Sequence, residues 1–302
     1  MNRVRKQIGL EGIEKSGKHI GIAVLDTGVC RHPDIKNRIQ YFKDFVGNRN
    51  QMYDDSSHGT HICGIICGDG KMSDGLYKGI APEADLVVCK VLNEKGDGRA
   101  DTMLNALDFL KRYGKQLNVR IVNISIGIGE LKDVKVLEKL QRAIDDLWNN
   151  GMLVICAAGN KGPRDESISA VCSSAKVISV GCHDGEYFKE EKERCEIHSG
   201  RGIRNDLIRK PDIVAPGTMI MSCNMEWNKL GGKRALYYVE KSGTSMATAI
   251  VSGCAALLLE SEPWLSPGQV KEKILYTATD LGELWNKQGW GMVNAKRLLE
   301  IY

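Results

Sequence analysis

The chain has 302 residues, of which 42% are hydrophobic and 26% charged, with a formal net charge of +4. That length supports one large α/β domain or two small ones, and the balance is that of a globular enzyme rather than a disordered or low-complexity chain. The small positive charge argues against nucleic acid or an anionic membrane as a main partner; no apolar run approaches the roughly 20 residues of a membrane helix, and residues 1–20 lack the apolar core of a signal peptide, so the expected location is the cytoplasm.

At the N-terminus, the basic start Arg3, Arg5 and Lys6 reads as a solvated terminus. Short apolar segments then alternate with helix-patterned ones. A strand is predicted over 19–26, a helix over 58–67, a strand over 85–91 and a helix over 101–113, where Met103, Leu104, Leu107 and Leu110 fall on one face. A strand over 120–125, a helix over 133–149 and strands over 152–157 and 176–181 follow, then a charge-rich surface excursion over 184–210 and helices over 245–260 and 267–278. Strands buried on both faces and separated by helices predict an α/β fold with a mostly parallel, twisted sheet flanked by helices on both faces. No repeat or linker divides the chain, so one domain over 1–302 is expected, with a short extension over 1–7 and no prodomain.

The ten cysteines read as reduced core thiols, because several, such as Cys89 and Cys156, sit inside apolar runs. Cys63 and Cys67 lie four apart on the helix after His58, but no second pair has ligand-like spacing to complete a zinc site, so no metal is expected.

Three segments carry chemistry. Val24-Leu25-Asp26-Thr27-Gly28 ends a strand on a carboxylate, His58-Gly59-Thr60-His61 opens a helix on an imidazole, and Ser242-Gly243-Thr244-Ser245-Met246-Ala247 places a hydroxyl at the first turn of an apolar helix. A serine hydroxyl needs a base to take its proton, a group to orient that base and donors for the developing oxyanion. Asp26, His58 and Ser245 fit the first three parts as orienter, base and nucleophile. In this order the motifs resemble the subtilisin-like serine proteases, the subtilases, over residues 20–299.

The resemblance implies a serine endopeptidase acting on peptide or unfolded-protein substrates through an acyl-enzyme. It makes Asn160, in Cys156-Ala157-Ala158-Gly159-Asn160, the oxyanion donor. It implies substrate-binding walls at Ser125, Ile126 and Gly127 and at Ala157, Ala158 and Gly159, a second pairing strand at Gly96, Asp97 and Gly98, and Met103 near the S4 pocket. No cofactor is required; Asp34, Asp69, Asp74 and Asp212 read as solvated surface acids, with a structural calcium as the alternative. Three departures stand out: Ala247-Thr248-Ala249 after the nucleophile, Val171-Cys172 at the S1 wall, and Ile197-His198-Ser199-Gly200-Arg201-Gly202. Alternatives are a dedicated processing protease for one peptide or proprotein, and a catalytically silent binding module, which the intact set of motifs disfavours. With only seven residues before Ile8-Gly9-Leu10, the chain is expected to refold without an added prodomain and to depend on slow unfolding or a separate protein inhibitor against self-digestion.

Overall fold

The residues Gly21–Asp26 (β1) are apolar up to the terminal carboxylate and buried at every position, which suits only a strand covered on both faces. The computed structural model describes residues 1–126, 133–188, 194–204, 208–228 and 236–300. Beside β1 lie Ile39–Asp44 (β2), Asp85–Lys90 (β3), Val119–Ile124 (β4), Leu153–Ala157 (β5), Ile178–Cys182 (β6) and Ile213–Ala215 (β7), in the sheet order β2-β3-β1-β4-β5-β6-β7 with every pairing parallel. A separate antiparallel pair joins Ile220–Cys223 (β8) to Tyr238–Lys241 (β9). The helices are Asn2–Gln7 (α1), His58–Cys67 (α2), Ala100–Tyr113 (α3), Val134–Asn149 (α4), Thr244–Ser261 (α5), Pro267–Tyr276 (α6), Trp285–Gln288 (α7) and Ala295–Glu300 (α8).

The strand period of two sorts the core into halves. Ile22, Val24, Leu86 and Val88 pack with α2, α5 and α6, whereas Ala23, Leu25, Val87 and Cys89 pack with α3 and α4. The result is the expected sheet with helices on both faces. Helix α5 is long and apolar enough to cross a membrane, yet 89% of it is buried inside the fold; apolar all round, it is the central helix of a large core.

The five anticipated strands and five anticipated helices are all present, with small differences at their ends. The edge strand β2, whose polar residues alternate with few apolar ones, the three-residue edge strand β7 and the β8–β9 pair lie outside the sequence reading, since they carry little apolar signal. Three expectations are corrected. The basic start forms α1 rather than a solvated terminus: Arg3 is 16% exposed, pairs with Asp184 and donates to the Thr218 carbonyl, and Arg5 donates to the Gly79 carbonyl at 2.7 Å. Residues 184–210 are not simply a surface excursion, because Asp184, Cys195, Ser199 and Lys210 are buried. Finally, Cys182 and Cys195, with Cα atoms 5.9 Å apart, are joined as a disulfide, while the other eight cysteines remain thiols. The pair forms because the end of β6 meets a turn that sequence spacing alone does not place beside it.

Close packing makes one helical glycine indispensable. A Cβ on Gly253 in α5 would lie 2.5 Å from Ile80 Cβ. Alanine ordinarily adds about 1 kcal/mol to a helix interior, but overpacking a core costs about 1–3 kcal/mol. Gly253→Ala should therefore destabilise the fold in denaturant titrations of an inactive Ser245→Ala background. A gain in stability would refute this packing argument.

Candidate active site

The parallel strands all end on one side of the sheet, and their C-terminal ends hold the candidate residues. The chain visits β2 and β3 on one side of β1 before crossing to β4 on the other, which makes the β1–β4 crevice a topological switch point of the kind that binds ligands in open α/β sheets. Asp26 closes β1 and Ser125 follows β4.

Asp26 is fully buried. Its Oδ1 accepts from Thr27 N at 2.7 Å and lies 2.7 Å from His58 Nδ1, which sets the tautomer with the Nδ1 proton toward Asp26 and leaves the lone pair on Nε2. Burial of His58 opposes its charged form, but the Asp26 charge and hydrogen bond overcome this and leave its pKa above the ordinary value; Lys241 opposes the rise and Asp54 adds to it.

Ser245 sits in the first turn of α5 and is 8% exposed. Its neighbour Thr244 donates from both N and Oγ1 to Asn160 Oδ1, at 3.2 and 3.1 Å. An amide nitrogen cannot accept these bonds, so the oxygen must face the helix and Nδ2 is the atom left to donate elsewhere. Ser125 donates from Oγ to the Ser245 carbonyl at 3.1 Å. Among the described residues no hydrogen bond joins Ser245 Oγ to His58, a bond that commonly tightens only when substrate is present.

Ile126 lies just beyond the end of β4, and Ala157 and Ala158 lie at the end of β5. Ile126 is 8% exposed, Ala157 and Ala158 are buried, and Met103 is buried on α3; Gly127 lies outside the described residues. The Ala158 and Gly159 carbonyls accept from Ser169 N at 2.8 Å and Gly200 N at 2.7 Å, which ties this segment to two others. Gly96, Asp97 and Gly98 are exposed in a tight turn, with Gly98 bridging antiparallel to Leu92 and Asn93 N donating to the Asp97 carbonyl.

Several supporting residues lie outside the sequence reading. Asp54 accepts from Thr27 Oγ1, Ser56 N, Ser57 N and both N and Oγ1 of Thr60, so one carboxylate caps α2 and ties it to the loop after Asp26. Lys90, 1% exposed, donates to the Thr27 and Leu92 carbonyls and to Asp55 at 2.6, 2.8 and 2.7 Å. Ser252 donates to Asn123 Oδ1 and Asn123 Nδ2 donates to Ser125 Oγ, at 2.9 and 2.7 Å. The signal for these was present: Lys90, Asn123 and Ser252 are polar residues inside otherwise apolar runs, and buried polar groups require partners.

The four carboxylates considered for calcium do not form an oxygen cage. Asp34 and Asp212 are buried rather than solvated. The Asp34 oxygens accept from Met72 N and Tyr238 Oη, and the Asp212 oxygens are held by Lys210, Lys271 and Ser179. Asp69 and Asp74 are exposed, and Asp69 Oδ1 accepts from Lys71 N. Oxygens committed to N–H and O–H donors and to ammonium groups do not fit calcium, which needs six to eight convergent oxygens.

The sequence matches the family described as Subtilase family over residues 17–291. It is 37% identical to Serine protease AprX of Bacillus subtilis (strain 168), over 96% of this chain and 68% of that protein. It is 34% identical to the Major intracellular serine protease of the same organism, over 82% of this chain and 70% of that one. Among solved structures, S41 Psychrophilic Protease superposes with a TM-score of 0.80 at 30% identity and 96% coverage of each chain.

One turn after His58, His61 is fully buried, its Nε2 2.9 Å from the Ile220 carbonyl and 3.1 Å from that of Val239. Burial first, and then neighbouring His58, pushes its pKa down to about 3. The unfolded value is about 6.5, so the stability that neutral His61 contributes is complete above that pH and is lost as pH falls toward the folded value, at up to about 1.4 kcal/mol per pH unit. His58 has the opposite sign: its raised pKa stabilises the fold below about 6.5, and that contribution disappears as pH rises through the raised value. In the Ser245→Ala background, His61→Gln should flatten the acid-side loss of stability measured by denaturant unfolding. An unchanged slope would assign acid sensitivity to other groups.

Proposed function

The chain belongs to the subtilase family and is a serine endopeptidase, and on that premise we propose that Asp26, His58 and Ser245 are its catalytic triad and Asn160 its oxyanion donor. In this reading His58 Nε2 takes the Ser245 proton as Oγ attacks the scissile carbonyl, then returns it to the leaving amine. Asp26 holds the tautomer and stabilises the imidazolium. The backbone N–H of Ser245 and Asn160 Nδ2 bind the oxyanion, a preorganised contact strongest at the tetrahedral stage. Water then repeats the attack on the acyl-enzyme under the same base.

The observation that carries the reading is the 2.7 Å pair between buried Asp26 and His58, on the same strand-end crevice as the bond that fastens Asn160 to the residue preceding Ser245. Substrate is proposed to lie extended between the segment from Ser125 and the turn at Gly96, Asp97 and Gly98, gaining affinity from main-chain bonds and specificity from alternate side chains. Lys161, exposed beside Asn160, disfavours a basic P1 residue; of the two acids close by in sequence, Asp165 is engaged by Asn286 at 2.8 Å and Arg204 at 3.8 Å, and Glu166 is exposed and would reverse the preference if it faced the pocket. The proposed P1 preference is therefore apolar or aromatic, with acidic residues tolerated. A cytoplasmic location remains part of the proposal, supported by the similarity to a relative named as intracellular.

A fluorophosphonate should label Ser245 alone, and Ser245→Ala should abolish peptidase activity; label elsewhere, or an active variant, removes the assignment. Asp26→Asn should retain the fold and lower kcat by about 10⁴, the general size of the tautomer effect in such triads. Asn160→Ala should cost about 10²–10³ in kcat, as for loss of one oxyanion donor.

Cleavage-site profiling in a complex peptide mixture should return apolar and aromatic P1 residues. Dominant Lys or Arg at P1 would overturn the pocket reading, and a single cleaved sequence would identify a processing enzyme.

A further inference from the structure

We propose that the Cys182–Cys195 disulfide is a thiol-exchange site, opened by small anionic thiols, and that its state sets the position of the turn carrying Ser245. The effect on activity rests on Ser245 as the nucleophile; the exchange itself does not. The two cysteines are 1 and 7% exposed, yet Cys182 forms part of the wall of a cavity of about 180 Å³. Pro163, Glu196, Arg201 and Lys287 belong to the same wall, and Pro163 is exposed. A small thiol therefore has a path to one half of an otherwise covered bond. In a chain proposed for the cytoplasm, a disulfide is of the kind that is made and broken in use.

The cavity selects the charge of that thiol. Lys287 pairs with Glu283 at 3.0 Å, and Glu196 pairs with Arg194 at 3.3 Å and lies 3.3 Å from His183 Nδ1. Arg201 has no ion pair among the described residues, so the wall carries an uncompensated cation. Asp184 Oδ2 stands 3.9 Å from each sulfur, but Thr218 and Arg3 hold that carboxylate. The incoming thiolate attacks Cys182 Sγ, the S–S bond breaks, and the Cys195 sulfur leaves with the electron pair and takes a proton from solvent. A second small thiol attacks the mixed disulfide, which releases a small disulfide and returns Cys182 as a thiol. Two electrons thus pass from two small thiols to the protein, and the new thiols can donate to Asp184.

Gly217 couples the bond to the start of α5. A Cβ there would lie 2.6 Å from Cys182 Sγ, 3.2 Å from Cys195 Sγ and 2.7 Å from the Gly243 carbonyl oxygen, so only a glycine fits between the sulfurs and the turn before Ser245. Gly243 N donates to the Gly217 carbonyl at 2.9 Å, Cys195 N to Thr218 Oγ1 at 2.9 Å and Met219 N to Ser242 Oγ at 2.8 Å. Residues 217–219 are thereby fastened to Cys195 on one side and to 242–243 on the other. Bonded sulfurs stand about 2.05 Å apart, whereas unbonded heavy atoms need about 3.5–4.0 Å. Two thiols must separate where there is no spare room, and the 217–219 segment gives way. Its displacement moves Gly243, and with it the Thr244 contacts to Asn160 and the position of Ser245.

Exchange is measured on folded, full-length Ser245→Ala protein, with mercaptoethanesulfonate as the anionic probe and cysteamine as the cationic one. After an acid quench and alkylation in denaturant, the alkylated cysteines counted by mass should rise from eight to ten. With each rate referred to that of a short disulfide peptide, the sulfonate should be at least about threefold faster, the size of a surface charge contact. Arg201→Gln should remove that advantage, and the first adduct should map to Cys182. In the Ser245 protein, reduction should slow fluorophosphonate labelling of Ser245 by about tenfold or more, as a small misplacement of a reacting group does, and the sulfonate's own disulfide should restore it. Cys182→Ala/Cys195→Ala should label at a rate that thiol does not change; if it does not fold, the adduct map and Arg201→Gln decide. A bond that stays closed in folded protein, a first adduct on Cys195, no sulfonate advantage, or unchanged labelling after opening would overturn the proposal. Normal exchange in a protein whose Ser245 takes no label even when oxidised would instead remove the nucleophile assignment and leave the exchange site standing.

Discussion

A carboxylate buried at the end of a fully covered strand is the constraint on which the rest of the crevice depends. Asp26 has no exposure, and an isolated buried charge is too costly to persist. Its Oδ1 is satisfied by Thr27 N and His58 Nδ1, whereas its Oδ2 has no protein partner among the described residues. The carboxylate therefore depends heavily on its one imidazole, and the imidazole is fixed in position and tautomer by that dependence. The same contact that stabilises the buried charge decides which imidazole nitrogen carries the lone pair.

Holding that contact demands that two loops be immobile. Asp54 fastens the start of α2 to Thr27, and Lys90 reaches from the neighbouring strand to the Thr27 and Leu92 carbonyls. On the other side of β1, the Ser252–Asn123–Ser125–Ser245 series joins the middle of α5 to the end of β4 and then to the carbonyl of Ser245. Each link lies in the interior, where a satisfied hydrogen bond is strong and an unsatisfied one expensive. Such series specify one arrangement of helix against strand, which apolar packing alone would leave free to slide.

The two histidines of α2 show how a single turn of helix separates roles. His58 is a quarter exposed and faces Asp26; His61 is buried against two carbonyls. Their environments move their pKa values in opposite directions, up for the His58 imidazole beside Asp26 and down for the buried His61. The hairpin that His61 supports, β8–β9, also contributes Cys223 and the Tyr237 and Tyr238 contacts around His32, linking the His58 helix to a second polar cluster on the same flank of the core.

Much of this was legible in the amino-acid order because local rules governed it. The all-apolar run ending in Asp26 forces a central strand, the His-Gly and Gly-Thr-Ser segments open helices, and alternation of the two element types dictates a layered α/β fold. What tertiary structure alone decided are meetings between segments far apart in the chain. Arg3 reaches Asp184 and Thr218, Cys182 meets Cys195, Lys271 pairs with Asp212, and Cys223 stands beside His32 and Asp34. Periodicity reports which face of an element is buried, not which distant element covers it. The partner of each buried polar group is set by sheet order and helix packing, long-range contacts that no local pattern encodes.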